Sequence, residues 1–192
     1  MVKIYNPEER ALSFAVSVAV AQKFYRQAVD EGVKAAICGG LAVQFYGFTR
    51  ATHDVDFIAD GLLNLPPVRA LTFGGESYAA EVDGQTAPID WIVRQDNYES
   101  LYQAALAEAA PTDAGFQLVT PEWLCILKMF AQRGKDRLDL LWLLRAVGLV
   151  DRALVIALLK RTIPRTAPYF VPEMEIFFLE ADLLRARDER GE

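Results

Sequence analysis

One histidine, His53, and two cysteines, Cys38 and Cys125, are all the imidazole and thiol that these 192 residues carry. That scarcity excludes several chemistries. A lone His and two Cys far apart in sequence do not form a zinc ligand cluster. Nothing beside His53 supplies the serine or cysteine nucleophile of a triad. Each cysteine lies inside an apolar run, which suggests buried thiols in a reducing compartment, not a disulfide framework. Long hydrophobic runs are missing too. The longest uncharged stretch, 35–49, is too short to span a bilayer and contains Gly39, Gly40 and Gly47. The first ten residues, MVKIYNPEER, lack a signal-peptide layout, so the expected location is the cytoplasm. Positive charge is also in short supply. A formal charge of −6 and a pI near 4.9 argue against a generally basic nucleic-acid binder. The deficit is uneven, because residues 121–165 hold nine Lys/Arg against four Asp/Glu. That region either faces phosphates or carries scattered charge on exposed helix faces.

What is present is ordinary globular material, 53% apolar and 24% charged. The stretch 39–60, GGLAVQFYGFTRATHDVDFIAD, stands out. Asp54 and Asp56 sit two apart at the start of an apolar run. Alternation along a strand points both the same way, about 7 Å apart. Two carboxylates so placed repel unless a cation lies between them, and hard oxygen ligands suit magnesium. The alternative is a solvated strand end. Gly39-Gly40 opens a short helix and offers backbone N–H groups to an anion. Asp90 interrupts the apolar segment APIDWIV, with Ile89, Trp91 and Val93 expected on the opposite face. An acid there is rare unless paired or bound to metal, and pairing with Arg94 is the plain alternative. Thr49 and Arg50, on the loop before the aspartates, could meet phosphates or a surface acid. A second cluster runs Lys128, Arg133, Lys135, Asp136, Asp139. Lys128 falls at the edge of an apolar stripe, where a lysine either snorkels outward or reaches into a cleft. The others could form a salt-bridge network at a helix junction.

The pattern along the chain predicts α+β. Asn6-Pro7-Glu8-Glu9 reads as a helix start, and apolar spacing carries that helix to a stop at Gly32. Strands are expected over 33–38, 55–59 and 88–93, with a hairpin signal where 70–73 and 77–82 flank Gly74-Gly75. Short or longer helices are expected over 41–46 and 98–109, and 116–119 reads as an edge strand. From Thr120-Pro121-Glu122, a strong cap, the pattern turns helical: 121–133, 135–147, 151–162 and a tail from Glu173. Residues 1–119 thus read as a mixed-sheet core with an N-terminal helix, and 120–192 as a helical region packed on it.

Gly39-Gly40, Arg50-x-Thr52-x-Asp54-x-Asp56, Asp90 in a later strand and Lys128…Arg133-x-Lys135-Asp136-x-x-Asp139 together resemble the DNA polymerase β-like nucleotidyltransferase superfamily. The likeness is nearest to its minimal, abortive-infection-type members, which include toxins of type IV toxin–antitoxin systems. It spans roughly 33–145. It implies transfer of a nucleotide from an NTP to an acceptor hydroxyl on an RNA end, a protein or a small molecule. It also implies two Mg²⁺ ions held by Asp54, Asp56 and Asp90, with Asp90 as base toward the hydroxyl. Gly39, Gly40, Arg50 and Lys128 would contact the nucleotide, and a cognate antitoxin would be a partner. Many members carry Gly-Ser where this chain has Gly39-Gly40. The alternative is a catalytically silent nucleotide- or partner-binding module of the same fold.

Overall fold

The computed structural model describes residues 11–82 and 84–191. Around one central sheet it places α1 (Phe14–Asp30), β1 (Ala35–Ile37), α2 (Gly39–Phe45), β2 (Val55–Ala59), β3 (Arg69–Ala70), β4 (Gly75–Val82) and β5 (Gln85–Ile92). Then come α3 (Glu99–Ala107), β6 (Ala110–Pro111), β7 (Gln117–Leu118), α4 (Pro121–Ala131), α5 (Gly134–Arg145), α6 (Arg152–Thr162) and α7 (Ala167–Arg190). The seven described strands lie in the order β3-β4-β5-β2-β1-β7-β6. The sheet is mixed. β2 runs parallel to β5 and antiparallel to β1, while β4 and β5 form a long antiparallel hairpin. The fold is therefore α+β, as the pattern predicts.

The first helix is capped by Ser13, whose hydroxyl accepts from the Val16 N–H. The cap expected at Asn6 lies outside the described residues. Leu12 is already paired with Thr52 in an isolated bridge, so the helix cannot extend back through it. The segment 116–119 differs from expectation in another way. β7 is not an edge, because β6 pairs with its outer side. A two-residue strand leaves no periodic trace, so β6 could not be read from sequence.

The alternation of β2 and β5 divides the sheet into two faces. Phe57 and Trp91 pack with tilted rings at 4.8 Å between ring centres, and the Trp91 ring meets Tyr78, which in turn meets Phe24 of α1. These side chains fill the layer between the sheet and α1. Asp56, Ile58, Asp90 and Ile92 are on the other face, toward α3 and α4. Helix α4 is enclosed on every side, with Trp123 through Met129 all buried. It packs on α5, α6, α2 and α3. A hydrogen bond from Trp123 Nε1 to Glu108 Oε2 (2.9 Å) fixes its start beside the end of α3.

Candidate metal and nucleotide site

The register of β2 against β5 builds the site. Asp56 pairs with Asp90 across the two parallel strands, and both side chains leave the sheet on the same face. Asp54, two residues before Asp56, completes the group. One carboxylate oxygen from each of Asp54, Asp56 and Asp90 lies within 4.8 Å of the others. The three acids read from sequence are thus brought together. Ile89, Trp91 and Val93 are buried, as expected for the opposite side of β5. The pairing of Asp90 with Arg94 does not occur. Arg94 binds Asp96, and among the described residues Asp90 has only the half-exposed Arg69 at 3.5 Å.

Electrostatics leaves this group short of positive charge. Asp56 is pushed from 3.8 up to about 7, first by burial and then by the charges of Asp54 and Asp90; Lys128 and Lys135 offset this in part. Among the described residues, no salt bridge reaches Asp54 or Asp56. Thr52 donates its hydroxyl to Asp54, to the backbone O at 3.1 Å and to Oδ1 at 3.4 Å. Three hard oxygens, close together and with Arg69 on Asp90 as their salt-bridge partner among the described residues, are a donor set that fits a divalent cation such as Mg²⁺.

The glycine turn lies against these acids. The Cys38 N–H donates to the Asp56 carbonyl at 2.9 Å, tying the turn to β2. Gly39 has φ +62°, and a Cβ there would overlap the Asp56 carboxylate. Only glycine satisfies both conditions. At Gly40 the space for a side chain is taken: Thr52 Oγ1 would lie 2.5 Å from an added Cβ, and Arg50 Nη2 2.8 Å. A serine at that place would have to displace Thr52, which accounts physically for the second glycine.

Arg50 and Lys128 turn elsewhere. Arg50 binds Asp139 with Nε at 2.7 Å and Nη2 at 2.9 Å. Lys128 Nζ donates to Asp136 Oδ1 at 2.9 Å and to Asp139 Oδ2 at 2.7 Å. Arg133 also pairs with Asp136, while Lys135 does not. Of the two readings of Lys128, snorkelling outward or reaching into a cleft, the outward one does not hold, and the residue lines the cavity beside Asp56. Its side chain is 4% exposed, because α4 is covered all round and not along one stripe. Burial opposes the Lys128 charge, but Asp136 and Asp139 outweigh it and raise its pKa. Burial likewise opposes the ionisation of Asp136, yet the Arg133 hydrogen bond and the Lys128 charge hold it below its ordinary value.

Two adjoining cavities open beside Asp56. The narrower, about 50 Å³, is lined by Gly39, Asp56, Tyr102, Lys128, Arg133 and Asp136 among others. The wider, about 240 Å³, runs past Asp90 to Phe73, Arg94, Tyr98, Phe130 and Arg133. Sequence reasoning missed the aromatic wall. Its one local signal is the four-residue spacing of Tyr98 and Tyr102 at the start of α3, which puts both rings on one helix face. The Arg94 guanidinium sits 5.0–5.5 Å from the ring centres of Phe73, Tyr98 and Tyr102.

No protein-family model matches the chain, and no curated protein matches it. Among solved structures, it is similar to the crystal structure of an antigenic nucleotidyltransferase-like protein from Paracoccidioides brasiliensis. That likeness covers 83% of this chain and 94% of the other, at 17% identity and a TM-score of 0.49. A likeness that loose does not carry a function. No described helix is long and apolar enough to cross a membrane.

Proposed function

We propose that this protein is a metal-dependent nucleotidyltransferase that moves an NMP from an NTP to an acceptor hydroxyl. The observation that carries the reading is the convergence of Asp54, Asp56 and Asp90 beside the Gly39 turn, at the mouth of two cavities. Asp54 and Asp56 have no salt-bridge partner among the described residues and Asp90 has the exposed Arg69 at 3.5 Å, so like-charge crowding favours a bound cation. Asp54, Asp56 and Asp90 would hold Mg²⁺, two ions by the family resemblance, and the metal would supply Lewis-acid charge for the transfer.

The chain's own residues do the rest. Asp54 and Asp56 hold the metal, and Asp90 at the neighbouring strand accepts the acceptor hydroxyl's proton on a carboxylate oxygen. Gly39 and Gly40 let the phosphates approach the backbone closely. At the start of α5, Lys135 is exposed with no salt bridge among the described residues, and Arg133 is exposed while held on Asp136; these are the cations placed to meet the triphosphate tail. Lys128 acts from behind, holding Asp136 and through it Arg133. Arg50 anchors the loop that carries Thr52 and Asp54 to α5 through Asp139. The aromatic wall offers a stacking surface to a base. A role as one half of a toxin–antitoxin pair belongs to the same proposal and rests on the resemblance alone.

The test is incubation with each α-labelled NTP, Mg²⁺ and cell extract, reading pyrophosphate release and label transfer. Transfer by the natural chain and none by Asp56→Asn is expected. Mg²⁺-dependent NTP binding without pyrophosphate release under any acceptor would favour the silent binding module. No Mg²⁺-dependent NTP binding at all would overturn both readings.

A further inference from the structure

The last helix carries two apolar faces, and only one is used. Met174 and Ala181 of α7 are buried against α5 and α6, with Phe177, Phe178 and Leu184 partly buried beside them. On the opposite side, Tyr169, Ile176, Leu179 and Leu183 are 78%, 63%, 65% and 67% exposed, and Pro172 is exposed among them. Their spacing of 3, 4, 3 and 4 residues is that of the a and d seam of a coiled coil. A contiguous apolar stripe about 20 Å long on a solvent face is an unusual thing for a chain to leave open. Beside its start lies a cavity of about 270 Å³ between α6 and α7, lined by Pro164, Ala167, Pro168, Val171, Pro172 and Lys160. It is large enough for one anchoring side chain.

Charge selects the occupant. Glu173 and Glu180 flank one edge of the stripe, and Glu175 and Asp182 flank the other. No Lys or Arg occurs between residues 166 and 184. The cations that neutralise Glu180 and Asp182 come from α5, α6 and the far end of α7. Glu173 and Glu175 have no salt-bridge partner among the described residues. A second copy laid along this face would set acid against acid at both edges, whether parallel or antiparallel. An anionic membrane would be repelled by the same acids, since interfacial helices carry Lys and Arg at that place. We infer that this face of α7 docks an amphipathic helix of another protein, with an apolar seam bordered by Lys and Arg. The inference stands apart from the catalytic reading, because none of its residues lines the carboxylate site.

Two synthetic helices of about four heptads test it, both with Leu at a and d, one with Lys and one with Glu at e and g. Fluorescence anisotropy with the full chain should show the Lys helix binding in the micromolar range and the Glu helix at least tenfold more weakly. Leu179→Asp with Leu183→Asp should abolish binding without shifting the melting temperature, since both residues are exposed. Glu173→Lys with Glu175→Lys leaves the seam intact and should narrow or reverse the preference between the peptides, which decides the matter even if the first variant folds poorly. Equal affinity for both peptides, no binding of either, or indifference to the charge reversal overturns the inference. So does a dimer in sedimentation that the Leu→Asp pair disperses, or binding to phosphatidylserine vesicles through the same residues.

Discussion

Among the described residues two groups of aspartates are drawn out of bulk water, with opposite fates. Asp54, Asp56 and Asp90 converge with hardly a cation to share, and Asp56 resists ionisation. Asp136 and Asp139, fully buried on α5, are met by Arg50, Lys128 and Arg133, and Asp136 ionises more readily than a free aspartate. The side chain is the same in both places; the neighbours decide. Where the fold supplies its own counter-charge, the acids are structural. Where it supplies little, the charge is relieved by a proton or by a cation from outside, and the group could hold a metal.

The strongest way to break the contrast is to take the cation from the neutralised group. Lys128→Ala leaves two buried carboxylates undercompensated and should cost about 3–5 kcal/mol. At this chain length that is a fall of roughly 6–20 °C in melting temperature. A loss under 1 kcal/mol would show that Arg50 and Arg133 suffice alone. Next in size is Gly39→Ala, where a left-handed backbone and the Asp56 carboxylate both oppose the new methyl group. A cost of about 2 kcal/mol is expected, with a weaker thermal shift on adding Mg²⁺. Unchanged stability and an unchanged metal response would deny the close approach.

Asp56→Asn acts in the other direction. It relieves like-charge crowding, so the metal-free protein at pH 8 should gain on the order of 1 kcal/mol while its Mg²⁺ response disappears. Calorimetry with and without metal reads both at once, and a retained Mg²⁺ response would remove Asp56 from the ligand set. Smallest and most diagnostic is pH. An acid whose pKa rises on folding, as Asp56 does from 3.8 to about 7, contributes stability that is fully present below pH 4 and lost as pH climbs through 7. The metal-free protein should therefore melt earlier at pH 8 than at pH 6, and Mg²⁺ should bind more tightly at pH 8 because it need not displace a proton. Asp136 has the opposite sign, its contribution lasting at neutral pH and failing only as acid carries it below its lowered pKa. Mg²⁺ affinity that is flat between pH 6 and pH 8 would contradict the assignment for Asp56.

Much of this was legible in the chain. Residues 55–59 read as a strand by their own apolar run and form β2 with those bounds. Asp90 announced itself as an acid inside an apolar segment, and the bracketing Ile89 and Trp91 fixed its face. Period-2 patterning could do this because strand faces are a local property. What stayed hidden depends on contacts distant in sequence. The pairing of Asp139 with Arg50 joins residues 89 apart, and no spacing rule reaches that far. Lys128 looked like an edge residue because a stripe on one helix face cannot report that α6 and α3 cover the others. The Arg94 aromatic wall gathers Phe73 from beyond β3 with Tyr98 and Tyr102 of α3, so it exists only once the sheet is folded.

The hydrogen bond from Cys38 to the Asp56 carbonyl has a kinetic consequence. It belongs to the interior of the sheet, between β1 and β2, each flanked by a further strand on its other side. An amide there exchanges its hydrogen with solvent only when the whole domain opens. The glycine turn and the carboxylate it abuts are therefore expected to open together, with the core of the sheet. Deuterium should enter at Cys38 no sooner than at Phe57 or Ile58. Such a site is expected to be lost with the fold and not to fray ahead of it.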